Sequence, residues 1–289
     1  MIIRTPSRLH ISLIDLHGKF GRIDGGVGLA LDFPNIEILV EKAEEIIVVQ
    51  NELKEVAELA AKKTLACFDI RGGIRITFSK SYPMHIGLGS ITQTSLGVAL
   101  AITKLYGSQL SVRELAKIVG RGGTSGIGVA AFEKGGFILD GGHKFGVEKK
   151  EFAPSDAVYG VPPPPILLRH DFPDWDIILA IPKVERGAYG KKEVNIFKQY
   201  CPISLQEVQM LSHLILMKML PALIEEDIIT FGQVINEIQT LGFKKIEIEL
   251  QHPIVKKLME VMIDAGAYGA GMSSFGPVIY SITNKNATK

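Results

Sequence analysis

Ser90 and Thr92 place two hydroxyls beside a pair of glycines in the stretch Pro83-Met84-His85-Ile86-Gly87-Leu88-Gly89-Ser90-Ile91-Thr92-Gln93. Glycines at 87 and 89 let an anion approach the backbone closely, and the hydroxyls can add contacts to a phosphate or a metal ion. The flanking elements decide what the loop amides can do. Gly73-Ile74-Arg75-Ile76-Thr77-Phe78 alternates with period two and predicts a strand; residues 91–106 are mostly apolar up to Gly107 and predict a helix. The loop therefore opens a helix, where free N–H groups and the positive end of the helix dipole favour an anion. Gly87, Gly89, Ser90, Thr92 and Gln93 are the candidates for holding a phosphate or pyrophosphate. Neither Gly-Lys-Ser/Thr nor Gly-x-Gly-x-x-Gly is present here, and the alternative is a tight strand-to-helix turn that binds nothing.

Around this loop the punctuation predicts an α+β chain. Residues 2–14, 36–49, 73–79 and 175–181 read as strands, and 135–142 as a short strand between glycine turns; 51–66, 91–106, 111–119, about 204–219 and 225–240 read as helices, with another opening at Pro253. Gly266 to Pro277 is glycine-rich but leads into the β-branched run 278–283, which needs a sheet to bury it. The proline tract Pro162 to Pro165 can join neither a helix nor a central strand, so it is the expected boundary between domains 1–161 and 166–289.

Composition narrows the partners. Over 289 residues, 32 Lys plus Arg nearly balance 31 Asp plus Glu, which leaves no global field for nucleic acid or an acidic membrane; any phosphate affinity must be local. Cys67 and Cys201 are far apart and without metal spacing, and no His/Cys cluster has the spacing of a zinc site. The start lacks a signal-peptide pattern, so a cytoplasmic location is expected. The apolar run 211–220 is expected to stop at Pro221, too short to span a bilayer, and to serve as a core or homodimer-interface helix.

Three separated small-residue motifs in this order resemble the GHMP kinase superfamily, and the detailed wording resembles its β-ribofuranosylaminobenzene 5′-phosphate synthase branch. The residues that carry the likeness are Thr5-Pro6-Ser7-Arg8-Leu9-His10, Leu13 to Leu16, Gly21 to Ala30, the loop Gly87 to Gln93, and Gly122-Gly123-Thr124-Ser125-Gly126-Ile127-Gly128. Kinases of the superfamily carry Ser-Gly-x-Asp at the last of these, whereas Gly128 stands here in the aspartate's place and cannot take a proton. The resemblance implies a two-domain fold with a ferredoxin-like C-terminal domain and the site in the cleft between domains. It implies phosphoribosyl pyrophosphate and an aromatic acid, p-aminobenzoate or p-hydroxybenzoate, as substrates; carbon dioxide and pyrophosphate among the products; and Mg²⁺ as cofactor, in methanopterin biosynthesis. An ATP-dependent small-molecule kinase is the alternative.

Such a reaction needs cations for the leaving pyrophosphate and negative charge near the sugar. Arg8 and His10, two apart on one strand face, are candidates for an anion and for the para group of the aromatic acid, with Asp24 as a third catalytic candidate. Asp15, Asp24 and Ser90 are candidate metal ligands, although a solvated turn aspartate reads equally well. Arg186 and Lys192, in a basic loop that could act as a lid, and Ser125 are candidates for substrate contact; a plain solvated loop is the alternative. His85 and His143 have weaker claims.

Overall fold

The computed structural model describes residues 1–158 and 160–284; Tyr159 and the last five positions of the expected second domain lie outside the described residues. The α+β class expected from the sequence is present. Strand β1 (Ile2–Asp15) pairs antiparallel with β2 (Arg22–Ala43) along most of its length, from Ile2 opposite Leu39 to Asp15 opposite Asp24. The glycine-bearing stretch 22–31, which the strand pattern leaves out, is thus part of a long central strand. Packing explains its glycines: a Cβ on Gly28 would lie 2.4 Å from both the Leu9 carbonyl oxygen and Ile127 Cγ2. Asp32–Asn35 bulge out between the pairs Ser7–Leu31 and Thr5–Ile36, which keeps Pro34 clear of the β1 ladder.

The chain continues through β3 (Ile47–Val48), α1 (Lys54–Cys67), β4 (Gly73–Lys80), α2 (Ser90–Tyr106), α3 (Val112–Val119), α4 (Ile127–Lys134), β5 (Phe137–Asp140), β6 (His143–Lys144) and β7 (Ile166–His170). These strands form one seven-stranded sheet, ordered β3-β4-β2-β5-β7, with β1 and β6 also on β2. The boundary expected at the proline tract needs correcting, because β7 lies beyond the prolines and still pairs with β5. The first sheet therefore ends at His170.

A second, three-stranded antiparallel sheet, ordered β8-β10-β9, combines β8 (Asp176–Ala180), β9 (Gly269–Met272) and β10 (Ile279–Thr283). Between β8 and β9 come α5 (Gly190–Tyr200), α6 (Leu205–Leu214), α7 (Leu220–Ile224), α8 (Ile228–Ile238), α9 (Gly242–Glu249) and α10 (Ile254–Asp264). The expected stop at Pro221 does not occur. A π-helical turn, Ile215–Met219, joins α6 to α7, and the run continues through the proline for 20 residues, Leu205–Ile224. By length and composition alone that helix could cross a bilayer. Its Leu211, Ile215, Met219 and Leu223 are buried in the main core with Phe231 and Val234, the position of a core helix, while Leu216 and Met217 face outward.

The main core reaches from one sheet to the other: Phe137 of β5 meets Phe231 of α8 edge-on at 6.1 Å, and Phe231 meets Trp175 at 5.3 Å. A smaller cluster contains Leu13, Phe197, Phe243 and Phe275. Cys67 and Cys201 are both free thiols.

Candidate active site

The glycine loop opens α2 as expected. Gly89, at φ +80°, is the residue before the helix and no side chain caps it, which leaves the first-turn amides available to an anion. Gly87, at φ +94°, lies against the second domain: its carbonyl accepts from Ser273 Oγ at 2.6 Å, and a Cβ there would sit 2.2 Å from the Ser273 carbonyl oxygen. The loop thereby joins the two sheets and forms the floor of a cleft of about 160 Å³.

Most of the expected site converges on that cleft. Arg8, His10, Gly87, Gly89, Ser90, Thr92 and Ser125 all line it, as does His85. Arg8 Nη1 donates to the Gly87 carbonyl at 2.6 Å, and burial pushes its guanidinium down to about 10, so it stays charged at neutral pH. His10 is buried with both ring nitrogens unpartnered. Burial, with Arg8 and Lys244 adding to it, holds its imidazole well below the usual histidine value. A neutral ring with two unsatisfied nitrogens, lining a cleft, is prepared for a ligand polar group.

Four expectations meet a different outcome. Gln93 lies behind the floor, fully buried, its amide donating to the Gly128 carbonyl at 2.8 Å. Asp15 accepts from the His17 and Gly18 amides at 2.8 and 2.9 Å, which is turn capping, and it does not line the cleft. Asp24 is corrected as a catalytic or metal residue: its carboxylate, entirely buried, is engaged by Lys149 Nζ at 3.0 and 3.1 Å and by His143 Nδ1 at 2.7 Å. Arg186 and Lys192 do not form a free lid. Arg186 pairs with Glu52 and Lys192 with Glu185 at 3.5 Å, the Gly187 amide donates to the His85 carbonyl at 3.0 Å, and Lys192 already belongs to α5. Both line an adjoining cavity of about 250 Å³ that shares Ala188, Glu247 and Phe275 with the cleft.

The cleft also contains charged residues that the motifs do not mark. Arg121 lines it with Arg8 and donates from Nε to Thr92 Oγ1 at 3.1 Å. Its signal was its place directly before Gly122-Gly123. Glu193 of α5 and Glu247 of α9 are its two lining carboxylates among the described residues. Glu247 is buried and paired with Lys244 one turn away; burial draws both toward neutrality and their mutual attraction opposes it. Lys244 also donates to the Met272 and Ser274 carbonyls at 3.2 and 3.1 Å, which ties α9 to the segment facing the glycine loop.

Gly128 faces α2. A Cβ at this position would stand 3.2 Å from Thr92 Cγ2, so α4 packs on the start of α2 with no carboxylate between them. The cleft has a floor of uncapped helix amides, two guanidinium groups and a neutral imidazole, and has glycine at position 128.

Comparison with known proteins identifies the family. The family models for the GHMP kinase N-terminal and C-terminal domains match residues 51–136 and 219–289. The β-ribofuranosylphenol 5′-phosphate synthase of Methanothermobacter thermautotrophicus is 49% identical over 99% of this chain and 89% of its own, and that of Methanocaldococcus jannaschii is 48% identical over 99% and 90%. Among solved structures, Methanococcus jannaschii mevalonate kinase superposes with a TM-score of 0.70 at 17% identity, covering 100% of this chain and 92% of its own, a likeness of fold alone. The chain belongs to the β-ribofuranosylphenol 5′-phosphate synthase family, a branch of the GHMP kinase superfamily.

Proposed function

We propose that the protein is a pentosyltransferase that joins the ribose of phosphoribosyl pyrophosphate to a ring carbon of an aromatic acid, releasing carbon dioxide and pyrophosphate, in methanopterin biosynthesis. The observation that carries this reading is the pairing of Arg8 and Arg121 over an uncapped helix N-terminus, beside a position 128 that holds no base. The relatives' names specify a ribofuranosylphenol, which makes p-hydroxybenzoate the favoured acceptor over p-aminobenzoate.

In this reading the α2 amides, Ser90 and the two guanidinium groups hold the pyrophosphate as it takes the electron pair of the bond to ribose C1. Glu193 supplies the negative charge that the sugar needs, the role expected of Asp24, since Glu247 is already paired with Lys244. His10, kept neutral, accepts from the para hydroxyl and so enriches the ring. The ring carbon bearing the carboxylate bonds to C1, and the bond to that carboxylate then breaks, returning its electron pair to the ring as carbon dioxide leaves.

The expected Mg²⁺ ligands do not fit together: of Asp15, Asp24 and Ser90 only Ser90 lines the cleft, and among the described residues no group of three or more His, Cys, Asp or Glu could hold a metal. A magnesium ion entering on the pyrophosphate needs only one or two protein ligands, and Ser90 and Glu193 would supply them. Bound there, it would neutralise part of the leaving group's charge.

The reading is tested by incubating the protein with phosphoribosyl pyrophosphate, magnesium and carboxyl-labelled p-hydroxybenzoate. Labelled carbon dioxide should be released, and no small alcohol should be phosphorylated from ATP; the reverse result would establish the kinase alternative. A cytoplasmic homodimer accompanies this proposal, with the outward Leu216 and Met217 as its contact, and sedimentation analysis tests the dimer.

A further inference from the structure

Apolar side chains line the cleft together with the charged ones, and β1 is irregular where it contributes one of them. Arg8 and His10 share a face by strand alternation, but Leu13 also lines the cleft, although it lies an odd number of residues further on. The register explains this: His10 is opposite Gly28 and Ser12 opposite Val27, so Ile11 is an extra residue that re-aims the strand. Leu13 is thereby brought to the cleft beside Phe197 and Phe275, both in contact with Phe243, at 4.7 and 5.9 Å between ring centroids. Leu13, Phe197 and Phe275 are each less than a tenth exposed and line the cleft from a small apolar cluster.

We infer that Leu13, Phe197 and Phe275 form the subsite for the acceptor's aromatic ring, with His10 at the ring's polar end. This rests on the phosphoribosyl-transfer reading above. A benzoic acid is a flat apolar ring with a polar group at each end, and the cleft offers the matching sequence: guanidinium groups and amides, then apolar side chains, with one unpartnered imidazole between. The donor, a polyanion, belongs on the loop and arginine side. The adjoining cavity with Arg186 and Lys192 is the competing location for the acid.

The test uses the full chain with p-hydroxybenzoate and phosphoribosyl pyrophosphate, comparing Leu13→Ala, Phe197→Leu and Arg186→Ala with the unaltered protein. The first two should raise KM for the acid about 3- to 10-fold, the range of one lost aromatic contact, while KM for the donor stays within about twofold and shows the variants to be folded. Arg186→Ala should leave KM for the acid unchanged. If Arg186→Ala raises it and the other two do not, the acid lies in the adjoining cavity and the inference is overturned. Calorimetric titration of p-hydroxybenzoate in the presence of pyrophosphate separates the two levels. Binding weakened by Leu13→Ala, in a protein that releases no carbon dioxide, would keep the subsite and refute the reaction; no binding to the unaltered protein would refute both.

Discussion

Gly89→Ala adds one methyl group, and the structure specifies what it meets. The residue holds φ +80°, where an L side chain costs about 1–2 kcal/mol. Its Cβ would lie 3.0 Å from Arg8 Cγ and 3.2 Å from Arg8 Nε, tight enough that the neighbour must give by a few tenths of an ångström. Arg8 cannot swing freely, because its Nη1 is tied to the Gly87 carbonyl at 2.6 Å, so the loop or the guanidinium must shift. A charged hydrogen bond to a phosphate is worth about 1.5–3 kcal/mol, and losing one lowers affinity about 10- to 150-fold. Titration calorimetry with inorganic pyrophosphate should show that loss, and thermal melting should show a drop of only about 2–8 °C. Unchanged pyrophosphate affinity, within twofold, in a variant whose melting temperature has fallen would place the anion elsewhere and refute the cradle.

Arg8→Lys should lower both donor affinity and turnover despite the retained charge, because an ammonium cannot reproduce the planar fork, while His10→Ala should chiefly lower kcat, by about 10²- to 10³-fold; steady-state kinetics on both substrates separates the two, and near-normal kinetics in both would make these residues structural. Asp24→Asn keeps the left-handed backbone at φ +69° but leaves Lys149 buried beside a neutral group, so stability should fall by about 3–5 kcal/mol by denaturant titration. Lost turnover at unchanged stability would restore a catalytic Asp24. Burial raises the Asp140 carboxyl to about 7 from an ordinary 3.8, so the folded protein keeps a proton that the unfolded chain has released; its stabilising effect is full below about pH 4 and lost as pH rises to 7. Melting temperatures of Asp140→Asn relative to the unaltered protein should therefore shift in the variant's favour between pH 5 and pH 8, and a constant difference would refute the raised value.

The glycine-loop half of the cleft was legible because its physics is local. A strand, glycines and an apolar helix in succession place amides at a helix N-terminus whatever surrounds them, and Arg8 and His10 follow from alternation on a neighbouring strand. Asp24 was misplaced for a reason that no local pattern contains. Its partners lie far away in sequence, Lys149 on a turn and His143 in a two-residue strand, and only the fold brings them to it. Gly26 and Gly28 kept the stretch 22–31 out of the strand pattern because their actual role, admitting α4 onto β2, depends on an element that the sequence did not mark. Helix α9 was hidden for the opposite reason: Ile246-Glu247-Ile248-Glu249-Leu250 alternates like a strand, so Lys244 and Glu247 gave no sign of sharing a buried helical turn.

The two arginines and Gly128 together explain how a kinase fold can serve another reaction. Phosphoryl transfer and departure of a pyrophosphate make the same demand of the floor, amides and cations for a polyphosphate. They differ in the group beside it. A kinase needs a carboxylate to take a hydroxyl proton, whereas attack by a ring carbon that loses carbon dioxide releases no proton to be taken. A carboxylate at position 128 would then be a liability: it would stand against Thr92, to which Arg121 is bonded, and draw that guanidinium away from the donor. In the proposed reaction, glycine there leaves Arg121 beside Thr92, at the floor that would hold the pyrophosphate. The negative charge that this reaction needs near the ribose would come from Glu193, which lines the same cleft as the two guanidinium groups.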